Sequence, residues 1–318
     1  MADAPTPTEA LKIAGLNWTV EQWPLSATNG ECRIAIQNRV LNVRTDTKHP
    51  LGIVGKDWVP FQNHEMAEFC ESLAEQNDTV KIESAGSIWG GEKVWFLMKG
   101  ESFSVRHVDD EIVPYILASN GFDGGTRFRC TPTTIRVVRS NTLHMVIPSH
   151  EHRGKGFRKL TPRSFSCKHS GRLRERVEKA KIALQLYSHS LEVQRELIDT
   201  TAAKNVNRDD IKRFFLECYI RDFGVIADAP VTGGERRQRE KAMLGFIAFA
   251  VRFDQESQKS GANAWTAFNA YAGFLQHDQG TRLKDLVRRD DQHKNSILFG
   301  TISQRTIAAF SAALNLSA

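Results

Sequence analysis

No apolar run in these 318 residues approaches the ~20 that a membrane helix needs. The opening stretch, Met1-Ala2-Asp3-Ala4-Pro5-Thr6-Pro7-Thr8, lacks the basic and apolar blocks of a secretory signal, and residues 1–15 are expected to form a short flexible tail. Cysteine is scarce. Cys32, Cys70, Cys130, Cys167 and Cys218 are odd in number and widely scattered, which excludes a disulfide framework and points to reduced thiols in the cytoplasm. Internal repeats and low-complexity tracts are missing. So are reaction signatures: there is no Gly-x-Ser-x-Gly elbow, no Walker sequence and no dinucleotide fingerprint. Gly90-Gly91 precedes a strand, but no helix opens behind it, so it reads as a hairpin turn.

What is present fits a globular chain able to bury a large core, with 41% hydrophobic and 25% charged residues. The pattern predicts an α+β fold, with an N-terminal antiparallel sheet carrying one or two helices and a C-terminal all-helical part. Residues 16–150 are expected to be the sheet domain, 151–170 a basic loop and 171–318 the helical region. Strand patterns run from Leu16 through Pro60, with a helix after Asn63, its candidate cap. Strands resume near residues 79–84, 93–99 and 102–108. The apolar run from Ile112 to Leu117 is then joined, through an Asn120-Gly121-Phe122-Asp123-Gly124-Gly125 turn, to an alternating strand. There Arg127 and Arg129 share one face and Phe128 and Cys130 the other, as a period of two requires.

Downstream, Leu173, Val177, Ala180, Leu184, Tyr187, Leu191 and Ile198 follow alternating steps of four and three, with Gln194 breaking the seam. That heptad spacing predicts a long helix packed along another helix of this chain or of a second subunit. Asn207 caps a second helix, and a third follows Gly233-Gly234 with Met243, Phe246, Ile247, Ala250 and Phe253 expected to point inward. Two more cover about Ala264 to Gln276 and Ile302 to Leu314.

Charge is unevenly spread. Between His152 and Lys181 there are eleven Lys and Arg against two Glu, an excess of +9 in a chain of net +6, which leaves −3 for the rest. A mildly acidic body with one concentrated cationic block is the footprint of a phosphate-rich partner. Arg153, Lys155, Arg158, Lys159, Arg163, Lys168, Arg172 and Arg174 supply the block. Arg127, Arg129, Arg136 and Arg139 extend it along the sheet, where Phe128 or Tyr115 would stack bases if exposed. The bland alternative is a solvated basic loop.

Several phrases also recur together. They are Val54-Gly55-Lys56-Asp57-Trp58-Val59-Pro60-Phe61-Gln62-Asn63, Ser84-Ala85-Gly86-Ser87-Ile88-Trp89-Gly90-Gly91, Asn120-Gly121-Phe122-Asp123-Gly124, Arg136-Val137-Val138-Arg139-Ser140-Asn141-Thr142-Leu143 and Trp265-Thr266-Ala267-Phe268-Asn269-Ala270. In order and over nearly the whole chain, they resemble a family of phage/plasmid-like proteins of unknown function. The chain departs at Arg139-Ser140, where that pattern has a cysteine and a small residue. The resemblance implies a mobile-element origin and a bacterial cytoplasm; it implies no activity.

Other chemistries are weaker. Cys130, inside an alternating strand, reads as core. His144, His150, His152, Cys167 and His169 lack the tight paired spacing of a zinc knuckle, and Glu65, Glu68, Glu71 and Glu75 read as a solvated helix face. No cofactor or metal is expected, and an enzyme is the lesser expectation, its site then gathered from residues such as Asn120, Asp123, Asn141 and His144. The sequence reading is therefore a nucleic-acid-binding protein, acting on single-stranded DNA in recombination or replication in an annealing-like role, as a homo-oligomer. The alternative is a host-factor-binding modulator or a structural interaction protein without nucleic-acid binding.

Overall fold

The computed structural model describes residues 6–75, 80–136, 145–146, 165–175, 177, 186–224, 233–277, 291–292, 294–296 and 300–316. The chain divides into two compact units, each assembled from separate segments: residues 1–101, 114–133 and 148–191, and residues 102–113, 134–147 and 192–318. Antiparallel sheets dominate the N-terminal half and helices the C-terminal half, which makes the fold α+β. Among the described residues no helix is long and apolar enough to cross a membrane.

The first unit opens with helix α1 (Pro7–Ile13), in the stretch expected to be a flexible tail. The Thr6 hydroxyl accepts from the Glu9 N–H, proline occupies the first turn, and Ala10 and Leu11 are buried. Burial of those two apolar side chains is the stabilisation that composition alone did not reveal. Strands β1 (Val20–Asn29), β2 (Cys32–Arg44) and β3 (Pro50–Gly55) form a three-stranded antiparallel meander in that order. Helix α2 (Asn63–Glu75) buries Met66, Phe69, Cys70 and Leu73, the stripe read at steps of three and four. Its cap differs from expectation. Gln62 holds the cap position, its N–H bonded to Glu65 Oε2, while Asn63 donates to the carbonyls of Leu16 and Trp18.

A second sheet has the order β10-β8-β7-β5-β4, built from β4 (Lys81–Ile88), β5 (Lys93–Lys99), β7 (Glu111–Gly121), β8 (Phe128–Arg136) and β10 (Phe165–Cys167). A short turn at Trp89–Gly91 closes the β4–β5 hairpin. Gly91 is required there: its φ is 109°, and a Cβ would meet the Trp18 ring at 2.8 Å. One face of this sheet, with Val94, Phe96, Met98, Ile116, Ala118, Phe128 and Cys130, shares a core with α1 and α2.

In the second unit β6 (Phe103–Ser104) pairs with the start of β7, and β9 (Met145–Val146) pairs with β8. The helices are α3 (Leu186–Ala202), which belongs to this unit from Glu192 on, α4 (Arg208–Phe223), α5 (Gly233–Ser260), α6 (Ala264–His277) and α7 (Thr301–Leu314). Asn207 makes a full capping box with Asp210 at the start of α4, as read from sequence. Helix α6 is buried from Ala264 to Gln276 on every side, so its apolar residues need no stripe. The phase of α5 matches the expectation in part: Phe253 is buried and Phe246 packs against the core, but Ala242 and Phe249 are buried as well, whereas Met243 and Ile247 are 68% and 50% exposed. Both faces of α5 carry apolar residues, so periodicity alone could not choose. Gly245 decides it, because its bare Cα lets Phe274 and Tyr219 approach at the distance where a Cβ would crowd them.

The heptad seam also resolves differently from a single long stripe. Leu173 and Val177 belong to the core of the first unit, and Gln194 and Ile198 are buried in the second. Ala180 and Leu184 lie outside the described residues. The seam's described side chains are thus spent inside their own units.

Candidate nucleic-acid interface

The turn that delivers the cationic strand is built from its own polar side chains. Asp123 Oδ1 accepts from the N–H groups of Gly125 (2.9 Å) and Thr126 (2.7 Å), and its Oδ2 accepts from the Thr126 hydroxyl at 2.8 Å. Gly124 takes φ 81°, in the left-handed region. Buried Asn120 donates to the Phe61 carbonyl at 2.7 Å. Asn120 and Asp123, candidates for a scattered active site, therefore hold a turn in place; Asn141 and His144 lie outside the described residues.

From that turn the chain enters β8 with the expected alternation. Phe128 and Cys130 are fully buried, and Arg127 and Arg129 are exposed. Phe128 sits among the rings of Phe61, Phe69 and Phe165, with centroids 4.7, 5.2 and 6.0 Å away. Strand β10 pairs antiparallel with β8, placing Ser166 opposite Arg129 and Cys167 opposite Phe128. Cross-strand partners share a face, so Ser166 and Lys168 project outward as Arg127 and Arg129 do, and all four are exposed. Three cations and a hydroxyl thus share the outer face of the sheet's β10 edge.

Among the described residues Arg127, Arg129, Lys168 and Arg172 have no carboxylate partner, and all are exposed. Arg174 does have one: its guanidinium pairs with Glu65 at the start of α2. Arg136 lies on β8, but its side chain is outside the described residues, as are Arg139, Arg153, Lys155, Arg158, Lys159 and Arg163 altogether.

Two expectations about this surface are corrected. Phe128 and Tyr115, offered as base-stacking rings, are 0% and 5% exposed. Phe128 points into the core by the same alternation that turns its arginine neighbours out. The Tyr115 hydroxyl donates to Glu83 at 2.5 Å, and burial together with that carboxylate raises its pKa. Neither ring can receive a base.

His169 adds no charge to this surface. His169 is buried, stacked on Trp58 with centroids 4.3 Å apart, and its Nδ1–H donates to the Val59 carbonyl at 3.2 Å. Burial holds its pKa down to about 4, so the ring is neutral at physiological pH. Cys167 is buried beside it, and His144, His150 and His152 are outside the described residues. No group of three or more metal-ligating side chains occurs among the described residues. Burial pushes the thiols of Cys130 and Cys218 up to about 12 and raises that of Cys70, so none of these three is a ready nucleophile.

Together these features define an α+β protein with a cationic outer strand face, its buried thiols and buried histidine held in the core. The chain belongs to the DUF932 family, a domain of unknown function that matches residues 50–298. No curated protein and no solved structure matches it.

Proposed function

We propose that the protein binds nucleic acid through its phosphates, serving the replication or recombination of a phage or plasmid in the cytoplasm of a bacterial host, where single strands of DNA are exposed. The observation that supports this reading is the cationic face formed by Arg127, Arg129 and Lys168, continued by Arg172, none of which has a carboxylate partner among the described residues. Exposed cations without carboxylate partners are free to neutralise phosphates and release counterions. They sit on either side, in sequence, of the stretch that carries Arg153, Lys155, Arg158, Lys159 and Arg163. With Phe128 and Tyr115 in the core, affinity rests on charge and not on stacking. Contacts of this kind position a backbone without reading bases, so little sequence preference is expected.

Fluorescence anisotropy of labelled single-stranded and double-stranded oligonucleotides, at low and moderate salt, tests the reading. Binding that falls steeply with salt supports it; no binding of either probe at low salt refutes it.

A further inference from the structure

The outer half of the β1–β2 hairpin is a two-stranded ribbon. Strand β3 pairs with β2 from Arg39 to Val43, so among the described residues Cys32 to Ile36 have β1 as their one partner strand. Along this ribbon the two faces differ in chemistry. Leu25 lies opposite Ile36 and Ala27 opposite Ile34, whereas Ser26 lies opposite Ala35 and Thr28 opposite Arg33. Strand β1 runs through without an insertion while β2 carries Gln37, Asn38 and Arg39 as extra residues, so Trp23 lies on the face of Leu25 and Ala27. Trp23 in turn opposes Leu41, and Leu41 opposes Ile53. One continuous face thus holds Trp23, Leu25, Ile34, Ile36, Leu41 and Ile53.

That face is bare. Ile34 is 62% exposed, Ile53 56%, Trp23 41% and Ile36 40%. Isolated two-stranded hairpins are marginal in water, and an uncovered apolar sheet face is the part of such a ribbon that needs a partner. From this geometry we infer that the apolar face of the β1–β2 ribbon packs against the same face of a second copy of this chain, across a two-fold axis.

Two features select that occupant. The charged side chains beside the face are of both signs, with Glu21 bonded to the Trp23 indole at 3.0 Å, Lys48 paired with Glu21 at 3.8 Å and Arg39 one alternation from Leu41, so the face meets its own copy without a field of one sign. Its exposed apolar area is on the order of 500 Å² per chain, the size of a functional patch; doubled across a two-fold axis it reaches the ~1,000 Å² that a specific interface needs. The arrangement is a face-to-face packing of two ribbons, stacked ~10 Å apart as sheets pack. It is independent of the nucleic-acid reading and replaces the heptad seam as the place where subunits meet.

The test is sedimentation velocity of the full chain without nucleic acid, across a range of concentrations and again in ~1 M salt, where phosphate contacts are screened and apolar contacts persist. A dimer is expected in both salts. Ile34→Lys with Ile36→Lys should weaken it by roughly tenfold or more, as central apolar contacts do when lost. Ala35→Lys, on the opposite face of the same ribbon, should leave it intact. All three positions are exposed, and unchanged thermal melts verify that the variants fold. A monomer at every concentration overturns the inference and leaves the face to another partner. A dimer insensitive to the isoleucine changes, or equally sensitive to Ala35→Lys, overturns it as well. Loss of the dimer with unchanged oligonucleotide binding is a supporting result, so the two readings fail separately.

Discussion

Arg174 and Glu65 form an ion pair across 109 residues of sequence, and it takes one cation of the basic block out of service. Glu65 also accepts from the Gln62 N–H, so the pair ties the chain after β10 to the first turn of α2. Arg174 and Arg172 should therefore behave differently when replaced. Arg172→Ala is expected to weaken oligonucleotide binding and leave the melting temperature unchanged. Arg174→Ala is expected to change binding little and to lower stability by at most about 1 kcal/mol, the range of a largely exposed pair. Anisotropy and thermal melts on the two variants check this directly.

Trp265, on buried helix α6, donates its indole N–H to buried Asp110 at 2.8 Å. Removing the donor takes a hydrogen bond from a carboxylate cut off from water. Trp265→Phe should destabilise the protein by about 1–3 kcal/mol, visible as a lower midpoint in urea with oligonucleotide affinity of the folded protein unchanged. Equal midpoints for variant and parent would mean that the contact stabilises nothing.

His169 makes stability depend on pH in one direction. Its pKa falls from the ordinary 6.5 to about 4 in the folded chain, chiefly through burial. Between those values the unfolded chain binds a proton that the folded chain does not, so stability is lost as pH falls from about 6.5 towards 4. His169→Gln removes that titration and should flatten the profile over the same window. Denaturant midpoints measured at several pH values, parent against variant, provide the comparison; parallel profiles would contradict the assignment.

The sequence exposed the parts of this protein that local rules decide. Period two along β8 placed Arg127 and Arg129 outward and Phe128 and Cys130 inward, and Asn207 announced the capping box of α4. The same alternation argued against Phe128 as a stacking ring, a consequence that becomes plain once its inner face is seen packed on α2. Long-range partners were not legible. Nothing local signals that Arg174 meets Glu65, that Trp265 meets Asp110, or that the two ends of the heptad seam enter different cores. The phase of α5 was legible only in part, right for Phe246 and Phe253 and wrong for Met243 and Ile247, since apolar residues on both of its faces satisfy the helical period equally well. The basic block was visible as composition, but which of its cations are paired is a property of the fold.

The central claim is that the cations on the outer face of β8 and β10 hold phosphates. The direct measurement is anisotropy of a labelled single-stranded oligonucleotide, titrated at several salt concentrations with the parent and with Arg127→Glu/Arg129→Glu/Lys168→Glu. An affinity loss of about tenfold or more is expected, with a log–log salt slope shallower by about 2, from three phosphate contacts at about 0.7 each. An unchanged dissociation constant and an unchanged slope in the folded triple variant would contradict it.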